Sequence, residues 1–191
     1  MWRSVLFIKT AIQLVQPTMP DTLAVSYAEV LQVEASKGHF DPITIVAIVE
    51  NESHWISSLV GGLNGQCVGL GQHCLHVYDY CTGTDYRGER CQAKKAWLLN
   101  GHNNLVATAQ HIVRWRKYCT KLTGHSASFH RWLYGYQGHA YQDNSRRCGM
   151  KKTRHGWVDI PRPGLVKRVI RRRVELIRET TRRLQKRKKR G

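Results

Sequence analysis

Along most of the chain, hydrophobic positions recur at helical rather than alternating spacing. In Asp41–Trp55, DPITIVAIVENESHW, Ile45, Ile48 and Val49 share one face while Ile43, Val46 and Ala47 occupy the opposite one. That pattern predicts a helix surrounded by protein. Asp41 suits the N-cap, and Pro42 suits the first helical position because its missing N–H is no loss there. Upstream, Leu23, Tyr27, Val30, Leu31 and Glu34 predict a helix from Asp21, with Gly38 as its C-cap. Downstream, Leu105, Ala109, Ile112 and Val113 fall on one face of a helix over 104–118, with Arg114, Arg116 and Lys117 largely off it. A shorter helix over 126–137 is anchored by Phe129, Trp132 and Leu133. Few segments alternate with period two, so the expected fold is mainly α and any sheet is small.

Four stretches follow from these patterns. In residues 1–20, Arg3 precedes the apolar Val5, Leu6, Phe7 and Ile8, as in an export leader. Lys9, Gln13 and Gln16 interrupt that run, and no A-x-A site precedes Pro17, so it reads as a docked helix or an atypical leader. No run is long enough to span a bilayer as a helix. Residues 21–148 form the expected main domain, and 149–164, punctuated by Pro and Gly, a linker. Residues 165–191 read as a basic amphipathic tail, with Val166, Val169, Ile170, Val174, Ile177 and Leu184 at near-helical spacing before KRKKR.

Charge sharpens the picture of that tail. Lys and Arg total 31 against 13 Asp and Glu, a net charge of +18, of which +11 lies in residues 166–191. The bland reading is a solvated extension. The functional one is contact with an anionic membrane, an acidic wall polymer or nucleic acid, among which charge does not choose. The six cysteines, at 67, 74, 81, 91, 119 and 148, suit a disulfide framework in an oxidising compartment or a metal site. Neither CxxC nor HxxxH occurs and the gaps match no zinc signature, which favours disulfides. No metal and no cofactor are assigned.

Candidate chemistry centres on Glu52, which falls in the middle of the Ile45, Ile48, Val49 face. Loss of hydration there would raise its pKa towards the range of a general acid; the alternative is a structural ion pair. The glycines at 61, 62, 65, 69 and 71 then permit tight turns beside a ligand, or simply a connector.

The order D-P-x-x-x-x-A-I-x-x-x-E-S followed by a glycine-leucine-glutamine motif resembles the soluble lytic transglycosylases and the related goose-type lysozymes. Glu52 and Ser53 match the acidic motif; Gly69, Leu70 and Gln72 match the next, with Gly71 where the family commonly has methionine. Asn104-Leu105 is similar to the family's asparagine segment. LYGYQG, with Tyr136, Gln137 and Gly138, is similar to AYNxG, Gln137 standing where asparagine is usual. Residues 78–97 depart from the pattern as an insertion or remodelled loop.

The resemblance implies a lysozyme-like catalytic domain that cleaves peptidoglycan between N-acetylmuramic acid and N-acetylglucosamine. It makes Glu52 the single acid and base; Ser53, Gln72, Tyr136 and Gln137 are the candidate substrate-binding residues, with Tyr136 alternatively a packed core aromatic and Ser53 a residue that positions Glu52 or satisfies the helix backbone. A lytic transglycosylase leaves 1,6-anhydro ends; a goose-type lysozyme leaves reducing ends. Most glycosidases use two carboxylates. Glu50 points about 160° around the helix from Glu52, and Asp79, Asp85 and Glu89 lie in the variable loop, so no second one stands out. Trp55, Trp97, Trp115 and Trp132 are candidate sugar-stacking faces or core residues; no histidine receives a catalytic role. Cys81 with Cys91 brackets the insertion, Cys119 with Cys148 brackets Tyr136, and Cys67 with Cys74 completes a pairing that spacing alone cannot prove. The expected partner is peptidoglycan and the expected location the periplasm, the cell exterior or wall, or a virion. A non-enzymatic nucleic-acid-binding protein acting through its tail is the alternative, and it leaves the ordered motifs unexplained.

Overall fold

The computed structural model describes residues 3–62, 65–77, 81, 87–136, 146–161 and 164–190. The structure is mainly helical, as the periodicity predicts, and the described residues form two small antiparallel sheets of three strands each. The chain divides into two compact units, residues 1–109 with 173–191, and residues 110–172.

The first unit opens with α1 (Val5–Val15), whose Ser4 cap accepts from the Phe7 N–H at 3.2 Å. Ile8, Ala11 and Ile12 are fully buried, so residues 5–15 are a docked helix in the folded chain. α1 packs against α2 (Asp21–Gly38) and α3 (Ile43–Ser53). The buried positions of α2 include Ala24, Ala28 and Ala35, small side chains that leave room for a neighbouring helix. α2 ends in a left-handed cap at His39, with φ 53°, one residue past the glycine expected there. α3 starts one residue later than expected, with Pro42 rather than Asp41 at the N-cap position, and Asp41 Oδ1 accepts from the Ile43 N–H at 3.0 Å. Every residue from Ile43 to Val49 is buried, as the two-sided pattern requires.

Three short strands follow, β1 (Val60–Gly61), β2 (Cys67–Val68) and β3 (His73–Cys74), in that order across the sheet. Cys67 and Cys74 are opposite each other in the register and are disulfide-bonded. A second disulfide joins Cys81 to Cys91 in α4 (Glu89–Leu99), so the end of the variable loop is helical. α5 (Gly101–Thr123) is longer at both ends than the predicted helix and contributes to both units.

In the second unit, the later part of α5 is accompanied by α6 (Phe129–Tyr136) and by β4 (Arg146–Arg147), β5 (Met150–Thr153) and β6 (Gly156–Asp159). Residues 149–164, expected as a linker, therefore contain a paired hairpin, Met150 opposite Asp159 and Thr153 opposite Gly156. Its strands escaped the hydrophobic pattern because Lys151 and Lys152 face solvent and only Met150 is buried. The Cys119–Cys148 disulfide and a 2.7 Å Arg131–Asp159 ion pair fasten this sheet. All three cysteine pairings match the bracketing read from the sequence.

α7 (Gly164–Lys188) is the basic helix predicted for the tail. Its buried face is Val166, Val169, Leu176 and Thr180, whereas Val174 is 37% exposed. Within the first unit, Arg173 donates to Asp41 Oδ2 at 2.9 Å, which fixes the second half of α7 beside the start of α3. That half is an integral packing element, and its basic residues from Arg182 onward project from a docked helix.

Candidate functional site

Glu52 is the penultimate residue of α3, where the buried helix emerges: Glu50, Asn51 and Glu52 are all half-buried. Asn51 Nδ2 donates to Glu52 Oε1 at 3.4 Å. Ser53, fully buried, donates its hydroxyl to the Val49 carbonyl at 3.2 Å, so it satisfies the helix backbone. The helix stops on two consecutive left-handed residues, His54 with φ 49° and Trp55 with φ 65°. Neither is glycine, and each such residue costs about 1 kcal/mol. Burial of the Trp55 ring, 6.1 Å from that of Tyr27, offsets the strain. Its indole N–H is buried without a hydrogen-bond partner among the described residues, and the ring is held by packing. The reversal leads Ile56 N–H onto the Ser53 carbonyl and Leu59 N–H onto the Ile56 carbonyl, and so into β1.

The loop Gly69–Gln72 is built on that turn. The Leu59 carbonyl accepts from the Gly69 N–H at 2.8 Å and from Gln72 Nε2 at 3.3 Å; Nε2 also donates to the Gly69 carbonyl at 2.9 Å. Both amide hydrogens of Gln72 are thereby engaged, and any contact from this side chain to a sugar falls to Oε1. Gln72 itself is left-handed, with φ 47°.

Asn104, wholly buried on α5, clamps the same loop. Its Oδ1 accepts from the Gly71 N–H at 2.7 Å, and its Nδ2 donates to the carbonyls of Leu98 at 2.7 Å and Val68 at 3.1 Å. Gly69 has φ 77°, and a Cβ there would strike Asn104 Nδ2 and the Leu98 carbonyl. The glycine is therefore required by both conformation and close approach. Thr108 Oγ1 donates to the Asn104 carbonyl at 2.8 Å, so the hydroxyl oxygen accepts from His73 Nε2 at 3.0 Å. His73 is thus a buried strut between β3 and α5.

Three other carboxylates of the first unit are committed elsewhere: Asp21 to Lys9, Glu34 to Lys37, Asp41 to Arg3 and Arg173. Glu89 is exposed at the start of α4. Asp79, Asp85 and Gln137 lie outside the described residues. Of the four tryptophans named as sugar-stacking candidates, Trp55, Trp115 and Trp132 are core residues; Trp97 is 38% exposed, with Lys94 Nζ 3.9 Å from its ring centroid. Among the described residues no cluster of three or more His, Cys, Asp or Glu could hold a metal ion.

In the second unit Tyr136 is buried, its ring 5.1 Å from His111. His111 Nε2 accepts from the Trp115 indole N–H at 2.7 Å, and the Trp115 ring leaves no room for a Cβ at Gly135. This trio went unnoticed in the sequence, although the four-residue spacing of His111 and Trp115 was a usable signal. Burial, aided by the Arg114 charge, lowers the His111 pKa from 6.5 to about 4. The unfolded chain therefore takes up this proton first as pH falls, and stability is lost from about pH 6.5 down to about pH 4. The loss should reach about 3 kcal/mol in urea titrations, and His111→Phe should remove most of that slope.

Comparison with protein-family models, with curated proteins and with solved structures returned no match.

Proposed function

We propose that this chain is a lysozyme-like peptidoglycan glycosidase, a lytic transglycosylase with Glu52 as its one acid and base. The main support is the position of Glu52: the half-buried carboxylate at the mouth of a buried helix, followed directly by a turn that carries the Gly69–Gln72 loop. The asparagine that the motif order singles out has a physical task there, since the Asn104 side chain ties Gly71 of the loop to Val68 of β2 and Leu98 of α4 by three hydrogen bonds.

In this mechanism Glu52 protonates the oxygen between N-acetylmuramic acid and N-acetylglucosamine as the C1–O bond breaks, with positive charge developing on the muramyl ring. The resulting carboxylate then takes the proton of the muramyl 6-hydroxyl as that oxygen closes on C1. A 1,6-anhydro end forms and the acid is regenerated. One carboxylate suffices because the nucleophile belongs to the substrate. Three disulfides suit action in the periplasm, outside the cell or from a virion.

The test is digestion of purified peptidoglycan followed by mass spectrometry of the released muropeptides. Anhydro ends are the expected product. Reducing ends would instead assign goose-type hydrolysis to the same acid, and no release from walls of several chemotypes would overturn the glycosidase reading.

A further inference from the structure

Beyond the cleavage chemistry, the first unit contains a cavity of about 370 Å³ that the motifs around Glu52 do not use. Lys9 and Gln13 of α1, Asp21 at the first turn of α2, and Arg183 and Arg187 of α7 line it. Three cations face one carboxylate, a net charge of +2. Lys9 Nζ lies 2.6 Å from Asp21 Oδ1, and Gln13 Nε2 donates to the same oxygen at 3.0 Å, so the carboxylate positions the α1 side of the wall. Arg183 and Arg187 are four residues apart on one helix face, with Asp21 the one carboxylate among the lining residues, so an added anion between them would relieve their mutual repulsion.

We propose that this cavity binds the phosphate monoester headgroup of an anionic phospholipid, docking the enzyme on a membrane surface. A phosphate monoester carries close to two negative charges near neutrality, which matches the cavity, and guanidinium groups pair with its oxygens. Among the described residues no aromatic side chain lines the cavity, and the base stacking that marks single-stranded nucleic-acid sites has no counterpart among them. Apolar contact is present instead. Leu14 and Pro17 complete the wall, and Leu6, 51% exposed, lies one turn before Lys9 on the same face of α1. The exposed run Lys186–Arg190 adds general attraction to an anionic surface.

The full chain would be co-sedimented with phosphatidylcholine vesicles containing either phosphatidic acid or phosphatidylglycerol, at matched surface charge. Binding to phosphatidic acid should be stronger by about tenfold, as expected for a second charge engaged at close range. Arg183→Gln with Arg187→Gln should abolish that preference. Lys188→Gln with Lys189→Gln, an equal charge change outside the cavity wall, should weaken both lipids alike and preserve it. Asp21→Asn, which removes the opposing carboxylate, should strengthen phosphatidic acid binding. Equal binding of the two lipids by the unaltered chain would overturn the proposal, as would equal effects of the two double substitutions. If inorganic phosphate raised the melting temperature while the vesicles were not distinguished, the ligand would be free phosphate and the lipid assignment would fail. Because peptidoglycan digestion is scored separately on soluble fragments, failure here leaves the glycosidase reading unaffected.

Discussion

Glu52→Gln is expected to lower muropeptide release by about a thousandfold or more, the loss typical when a positioned acid is removed. The substitution keeps the side chain's shape and its capacity to accept from Asn51 Nδ2, which sits 3.4 Å from Oε1. The residue is half-buried and sits after the fully buried stretch Ile43–Val49, so the melting temperature should scarcely change. What disappears is the proton. An amide cannot donate one to the departing oxygen, nor accept one from the attacking 6-hydroxyl, so both halves of the reaction fail together. The decisive comparison is the rate of anhydromuropeptide appearance for the two proteins at equal folded concentration. A Glu52→Gln protein retaining more than about a tenth of the rate would exclude Glu52 as the acid. Activity would then have to come from another carboxylate or from a different reaction class.

The same helix illustrates how much was legible in the sequence. Asp41, Pro42 and the two-sided apolar pattern specify α3 because capping and burial act over a few residues. α1 was ambiguous because Lys9 and Gln13 interrupt its apolar run; in the fold they turn outward to Asp21, while Ile8, Ala11 and Ile12 pack inward. The β5–β6 hairpin was not legible, since residues such as Lys151, Lys152 and Val158 leave both faces largely wet and a disulfide fastens the sheet from outside. At the candidate site, Glu52 and Gly69 stand out by residue type and pattern. The internal engagement of the Gln72 amide did not, because it depends on where the Leu59 and Gly69 carbonyls come to rest. Long-range hydrogen bonds of that kind leave no periodic trace.

Asn104→Ala should have the largest effect on stability. The Asn104 side chain makes three buried hydrogen bonds to backbone groups from three places in the chain, Gly71, Val68 and Leu98. Alanine would withdraw all three partners at once at a wholly buried position. An unpaired buried backbone group costs about 1–3 kcal/mol, so the expected loss is about 4–6 kcal/mol. A domain of this size has only about 5–15 kcal/mol in total. Asn104→Asp separates the contributions: it keeps the acceptor for the Gly71 N–H but turns the two donor bonds into oxygen-to-carbonyl contacts. It should be no more stable than the alanine protein at neutral pH. Gly69→Ala provides an independent approach to the same junction, since its Cβ would collide with Asn104 Nδ2 and its φ of 77° would be strained. Denaturant titration of the three variants would show whether the clamp is one cooperative element. If Asn104→Ala lost less than about 1 kcal/mol, the three bonds would be incidental to stability, and the loop would have to be held by the Cys67–Cys74 disulfide and the Leu59 carbonyl instead.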